Sequence, residues 1–160
     1  MKIKATIKYN DNIVEFEGDP ESVLESILSF FSKVIPTFKL AREIMYSIDT
    51  KDLVNMLKPY VIVSEKGDII LTESGESLSM SNKILSVLIA AKLLKITGLR
   101  KTDFLTLYEI SSLISASPKS TSSRLSELYA KGYVEKGRDE EGVKYKVSLK
   151  GIINFHRKIS

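Results

Sequence analysis

The stretch from Ser115 to Gly151, SASPKSTSSRLSELYAKGYVEKGRDEEGVKYKVSLKG, constrains the fold more than any other part of the chain. Thr121, Leu125 and Leu128 stand at i, i+4 and i+7, so one face of a helix carries all three. That face would pack on Leu113 and Ile114. Lys119, Ser120, Ser122, Ser123 and Ser126 lie opposite, with Arg124 nearby, giving an outward face of short side chains and positive charge. Serines there let a backbone approach closely and donate hydrogen bonds, and free N–H groups at a helix start attract anions. Eight serines in the sixteen residues from Ser111 to Ser126 could mark a linker. The helical spacing of leucine and isoleucine through the same residues argues against that. Gly132 stops the helix, and Val134-Glu135-Lys136 and Val143 to Val147 alternate as two strands around Gly137 to Gly142. Ser148 can cap a last helix whose apolar side is Ile152, Ile153 and Phe155.

Upstream, Thr106, Leu107, Ile110, Leu113 and Ile114 predict a short helix. Ile84, Leu85, Leu88, Ile89, Leu93 and Leu94 predict a longer one with a wide apolar stripe, capped by Ser81 or Asn82 and stopped at Gly98. The first half reads differently. Ile3, Ala5, Ile7 and Tyr9 alternate with lysines and Thr6, Asn10-Asp11-Asn12 makes a turn, and Ile13 to Glu17 returns as a second strand. Asp19-Pro20-Glu21 opens a helix that ends before Pro36. Helices about Phe38 to Tyr46 and Lys51 to Leu57 follow, then a hairpin of Tyr60 to Ser64 and Asp68 to Thr72. Ser74-Gly75-Glu76-Ser77 reads as a linker or loop. This half shows no internal repeat, phosphate loop or nucleotide-binding glycine pattern.

The expected architecture is therefore α+β. Residues 1–80 form a small hairpin-plus-helices domain, and residues 81–160 form a second domain. The charges divide at the same place. The net +4 of 160 residues is −4 over residues 1–80 and +8 over 81–160, which suggests that one half meets a polyanion. Without cysteine, zinc ribbons and thiol nucleophiles are excluded, and the single His156 leaves no room for a histidine-based triad or metal cluster. Neither a catalytic residue, a metal site nor a cofactor is expected. Asp139-Glu140-Glu141 reads as a solvated loop, Glu15 to Glu25 as a solvated edge, and Tyr108, Tyr129 and Tyr133 as core or dimer-face aromatics. The N-terminus has no signal-peptide core, and the apolar run Ile84 to Ala91 is too short to span a membrane, so a cytoplasmic protein is expected.

Helix, short helix, turn, Ser-rich helix, glycine, two-stranded wing and final helix is an order that resembles the winged helix-turn-helix family of DNA-binding domains. Ser122-x-x-Leu125-x-x-Leu128-x-x-x-Gly132-Tyr133-Val134-Glu135 looks like the "S-x-x-L-x-x-L-x-x-x-G-L-V" stretch of MarR-like and ArsR-like regulators. Ser148-Leu149-Lys150-Gly151 is similar to the "L-T-x-x-G" that follows their wing. The Lys- and Ile-rich composition also resembles that of archaeal chains.

By this resemblance the chain is a DNA-binding transcriptional regulator, with Leu107 to Ile114 as positioning helix and Lys119 to Lys131 as recognition helix in the major groove. Lys119, Ser120, Ser122, Ser123, Arg124 and Ser126 on the helix, with Lys136, Arg138, Lys144 and Lys146 on the wing, are the implied contacts to double-stranded DNA. The three carboxylates at the wing tip depart from this pattern, because they would repel phosphate. A homodimer is implied, paired through the helix Ile84 to Leu94, the C-terminal helix or the N-terminal unit. The N-terminal unit could instead hold a protein partner or sense a ligand. The alternative is a winged-helix adaptor that binds another protein of the transcription, replication or membrane-remodelling machinery.

Overall fold

The computed structural model describes residues 1–35 and 48–159, and the helix expected over 38–46 lies outside them. The chain divides into two compact units, Met1–Ser47 and Ile48–Ser160.

In the first unit, β1 (Ile3–Tyr9) and β2 (Asn12–Gly18) pair antiparallel with Tyr9 opposite Asn12. Asn10 takes φ 54°, so Asn10-Asp11 alone makes the turn and Asn12 already belongs to β2. The alternation turns Ile3, Ala5 and Ile7 to the same side as Val14 and Phe16. Helix α1 (Pro20–Val34) begins as the residues predict, with the Asp19 carboxylate accepting the Ser22 N–H at 3.0 Å. The Ser22 hydroxyl also donates to that carboxylate and holds the Asp19 carboxyl below its ordinary pKa. Phe30 of α1 meets Tyr9 and Phe16 edge-on, and Val23 is buried.

The second unit runs α2 (Thr50–Leu57), β3 (Val61–Val63), β4 (Ile69–Leu71), a single turn α3 (Glu73–Glu76), and α4 (Met80–Ile96). It continues with β5 (Leu105–Thr106), α5 (Leu107–Leu113), α6 (Pro118–Ala130), β6 (Val134–Asp139), β7 (Gly142–Val147) and α7 (Leu149–Ile159). The expected α+β class and winged-helix order are present. β3 and β4 form a two-stranded sheet, and β5, β7 and β6 form a three-stranded one in that order. The pairing of Leu105-Thr106 with Tyr145 and Lys144 was invisible in the sequence, because two residues carry no periodicity.

Helix α4 is enclosed rather than striped. Every residue from Ile84 to Ala91 has 0% exposure, including Ser86, whose hydroxyl donates to the Lys83 carbonyl at 2.7 Å. A helix that is apolar all round belongs in the middle of a core. Its cap is Ser79, two or three residues before Ser81 and Asn82, accepting the Asn82 N–H at 3.3 Å. α2, β3 and β4 pack on α4, and so do α5, α6, β7 and α7. Residues 48–79 therefore share one hydrophobic core with the winged helix, and the compact units part at Ser47 rather than at the charge boundary near Met80. A helix so covered has no face left for a dimer, which removes Ile84 to Leu94 from the candidate pairing surfaces.

The loop expected at Ser74 to Ser77 is instead a packing point that recurs at Gly151. Thr72 donates its hydroxyl to the Pro59 carbonyl at 2.7 Å, accepts the Gly75 N–H at 3.1 Å, and gives its own N–H to Tyr60 at 2.9 Å. Ser148 does the same with Gly132 at 2.6 Å, Gly151 at 3.0 Å and Tyr133 at 3.1 Å. A Cβ on Gly75 would sit 2.2 Å from the Tyr60 carbonyl oxygen, and one on Gly151 would sit 2.1 Å from that of Tyr133. Helix, hairpin, clamp and glycine thus occur twice, over Thr50–Glu76 and Pro118–Ile159, on either side of α4 in the chain. Little beyond Lys-x-Tyr-Val and the hydroxyl-x-x-Gly spacing survives in both copies, so no repeat was legible.

Candidate nucleic-acid interface

The interface is built on α5, α6 and the wing. Thr106 and Glu109 close a capping box at the start of α5, with N–H to oxygen distances of 2.7 and 3.1 Å. The turn into α6 is tight. Ser115 adopts φ 53°, and its N–H and that of Ala116 return to Ser112 and Ser111. Ser117 then caps α6, accepting the Ser120 N–H at 3.2 Å, and Pro118 occupies the first helical position. Pro118 has no N–H and Ser120 is capped, so the Lys119 N–H is the open donor of the first turn.

Thr121, Leu125 and Leu128 are buried as the spacing predicts, in the core that holds Ile114. Outside, Lys119, Ser120, Ser123 and Ser126 are exposed, and Ser122 and Arg124 are half-buried. Not all of these groups are equally available. Ser120 donates to the Ser117 carbonyl at 3.2 Å and shares a 2.7 Å bond with its hydroxyl, while Ser126 donates to Ser122 at 3.0 Å. Arg124 pairs with Glu127 at 2.8 Å. Lys119 pairs with no carboxylate among the described residues, and Ser122 and Ser123 keep their hydroxyl donors.

At its other end α6 stops in a Schellman turn. Gly132 at φ 78° bonds to Tyr129, and Tyr133 bonds to Leu128, both at 2.9 Å. The wing that follows sorts its charges by face, since side chains alternate along each strand. With Arg138 opposite Val143 and Lys136 opposite Tyr145, one face carries Lys136 and Arg138 and no acid. The Lys136 ammonium lies 4.2 Å over the ring of Tyr129 on α6, so this is the face beside the helix. The other face holds the acids and their partners. Glu135 meets Lys146 at 3.5 Å, and Lys144 bridges Asp139 at 2.7 Å and Glu141 at 2.8 Å. Those two hydrogen-bonded carboxylates push the Lys144 ammonium above its ordinary pKa, and the bond from Lys144 holds the Asp139 carboxyl below its own. The single Lys144 charge thereby offsets one of the three tip carboxylates while holding two of them on this face.

Of the ten implied contacts, the structure places Lys119, Ser122, Ser123, Lys136 and Arg138 with their donors or cations open to a ligand. Ser120, Ser126 and Arg124 are on the same helix but engaged, and Lys144 and Lys146 are ion-paired on the opposite wing face. Phe104 was missed. Its ring lies where a Cβ on Gly137 would come within 2.7 Å, and the Lys146 ammonium sits 5.0 Å over it, so it props the wing from behind. Just before it, buried Asp103 pairs with Lys95 of α4 at 3.3 Å and anchors that strand. The tyrosines divide between the core and the surface. Tyr108 is 73% exposed and Tyr129 is 48% exposed, and of the three only Tyr133 packs against the core. Among the described residues no group of three His, Asp or Glu stands close enough to hold a metal ion, and no helix is long and apolar enough to cross a membrane.

No family model matches this chain, and no curated protein does. Among solved structures, it is similar to a mutant MarR from E. coli complexed with operator DNA. That match has 18% identity and a TM-score of 0.36, covering 79% of this chain and 76% of the other. A second similar structure is a MarR family transcription regulator, at 16% identity and a TM-score of 0.36 over 84% of this chain and 72% of that one.

Proposed function

We propose that this protein is a DNA-binding transcriptional regulator that lays α6 in the major groove and the Lys136–Arg138 face of its wing along the adjacent backbone. The observation that supports this reading is the sorting of wing charge. The cations without carboxylate partners are on the face beside α6, and the acids are on the other. Lys119 and its N–H meet a phosphate at the helix start, Ser122 and Ser123 approach base edges or phosphate, and Arg138 holds the neighbouring strand. The regulator acts as a homodimer reading two half-sites, paired through α7 or the N-terminal unit, since α4 is covered.

Duplex binding by the full chain tests this. Affinity should fall steeply between about 50 and 200 mM salt. Lys119→Ala and Arg138→Ala should each weaken binding and flatten the salt slope by roughly one unit. Lys144→Ala, which frees two carboxylates on the far face, should have a smaller effect. A duplex affinity unmoved by Lys119→Ala and Arg138→Ala together would refute the interface. Absence of binding at low salt would favour the adaptor reading.

A further inference from the structure

The two copies of the helix–hairpin–clamp unit differ in one respect that the first copy leaves open. In the second copy, β7 pairs with β6 on one side and with β5 on the other, where Leu105 stands opposite Tyr145. Matching the clamps, Thr72 to Ser148 and Tyr60 to Tyr133, places Ile69 where the second copy has Tyr145. No strand occupies the other side of β4 among the described residues.

The hydrogen-bond register shows which groups face that side. Ser64 N–H bonds to Asp68 at 3.0 Å, and Thr72 N–H bonds to Tyr60 at 2.9 Å. In an antiparallel pair such bonds alternate, so Ile69 and Leu71 turn their N–H and C=O away from β3. At Ile69 they meet a cleft of about 540 Å³, a size that accommodates ligands. Asp68 and Ile69 line it on the β4 side, and Tyr108, Ser112 and Leu113 on the α5 side. Leu113 supplies apolar surface on the far wall, and the fully buried Leu105 lies behind it. The charge is also unbalanced. Arg100 already reaches Glu109 at 3.7 Å and bonds to the Thr102 carbonyl, leaving the exposed Asp68 as the surplus carboxylate at the rim.

We propose that this cleft takes an extended peptide as a third strand on β4, apolar at the residue opposite Ile69 and basic beside it. Backbone bonds to the Ile69 N–H and C=O provide the pairing, the apolar residue fills the space before Leu113, and the basic residue answers Asp68. The partner is thus a short unstructured segment of another protein.

The probe is acetyl-Thr-Phe-Leu-Lys-Thr-amide, patterned on the strand that pairs with Tyr145 but with lysine at the position that faces Asp68, titrated into the full chain with amide NMR and hydrogen exchange as readouts. The peptide should shift and protect the Ile69 amide. N-methylation at its leucine should weaken binding by about tenfold or more, because it removes the N–H that meets the Ile69 carbonyl. Ser112→Phe, at an exposed site on the cleft wall, should block binding while leaving the circular dichroism spectrum unchanged. An Ile69 amide that does not respond, or an N-methylated peptide that binds as well as the parent, overturns the proposal. Equal binding by a peptide with glutamate in place of lysine removes its charge requirement and overturns it as stated. Protection of Ile69 that grows with protein concentration and needs no peptide would assign the edge to a second copy of this chain instead.

Discussion

Gly151→Ala separates helix propensity from packing by the sign of its effect. Gly151 lies in the first turn of α7, where alanine is ordinarily favoured over glycine by about 1 kcal/mol. On propensity alone the variant is therefore more stable. The structure says the opposite. The new Cβ would stand 2.1 Å from the Tyr133 carbonyl oxygen and 3.0 Å from its carbon, and neither atom can rotate away. Ordinary contact begins near 3.4 Å, so α7 or the strand start must move by more than an ångström. That movement strains the Ser148 bonds at 2.6 and 3.0 Å and lifts Ile152 and Phe155 from the core. Overpacking of this kind costs about 1–3 kcal/mol, and a rigid backbone neighbour puts it at or above the upper end. With propensity returned, the net loss is about 2 kcal/mol. In urea, with a slope of roughly 1–2 kcal/mol per molar, the midpoint should drop by about 1–2 M. Gly75→Ala, against the Tyr60 carbonyl at 2.2 Å, should lose a similar amount if the two clamps are one device used twice. A Gly151→Ala midpoint at or above that of the parent would refute the packing argument.

Ser115 pays for the helix-turn-helix corner with a left-handed backbone, so Ser115→Gly should raise stability by about 0.5–1 kcal/mol in thermal or urea unfolding. Phe104→Ala removes the prop behind Gly137, and amide exchange across Lys136 to Lys144 should accelerate while the core amides of α4 stay protected. Lys144→Ala should return the Asp139 carboxyl toward its ordinary pKa in a carbon-detected NMR titration. Because that pKa is depressed in the folded chain, its contribution to wing order is present above the unfolded carboxylate pKa and is lost as pH falls through the folded value. The parent wing should therefore loosen only in acid, and Lys144→Ala should abolish that dependence.

The C-terminal half was legible because each of its signals is local. The i, i+4, i+7 spacing of Thr121, Leu125 and Leu128, the Gly132 stop and the alternation after Val134 each act within a few residues, and all three agree. What escaped is what depends on distant partners. Leu105-Thr106 becomes a strand only because β7 offers an edge, and Phe104 matters only because Gly137 lies above it. The ion pairs that occupy Lys144 and Lys146 likewise join positions whose pairing the hairpin register sets. Composition could count those lysines as DNA contacts, but it could not see that they are already spent on carboxylates. The helix α4 misled in a different way. Its apolar residues were read as a stripe, although Ser86, Ala90 and Ala91 close the circle as small residues that tolerate full burial.

The charge split has a different meaning once the core is known. Residues 48–79 hold three lysines against six carboxylates, yet they pack on the same α4 as the basic half. The acidic segment 48–79 and the basic half therefore lie in one compact unit, each with a helix and a hairpin packed on α4. The outward cross-strand pair makes the divergence concrete. In the second copy it is Glu135 and Lys146, an ion pair, whereas the matching positions of the first are Ile62 and Ile70, which are 56% and 54% exposed. Phosphate attraction needs cations, and β3–β4 presents isoleucines and a tip with Glu65 and Asp68 around a single Lys66. A nucleic acid approaching the wing of the second copy would be repelled at that of the first. One unit thus carries one hairpin with a basic face beside α6 and one with an apolar outward face, both packed on the enclosed α4.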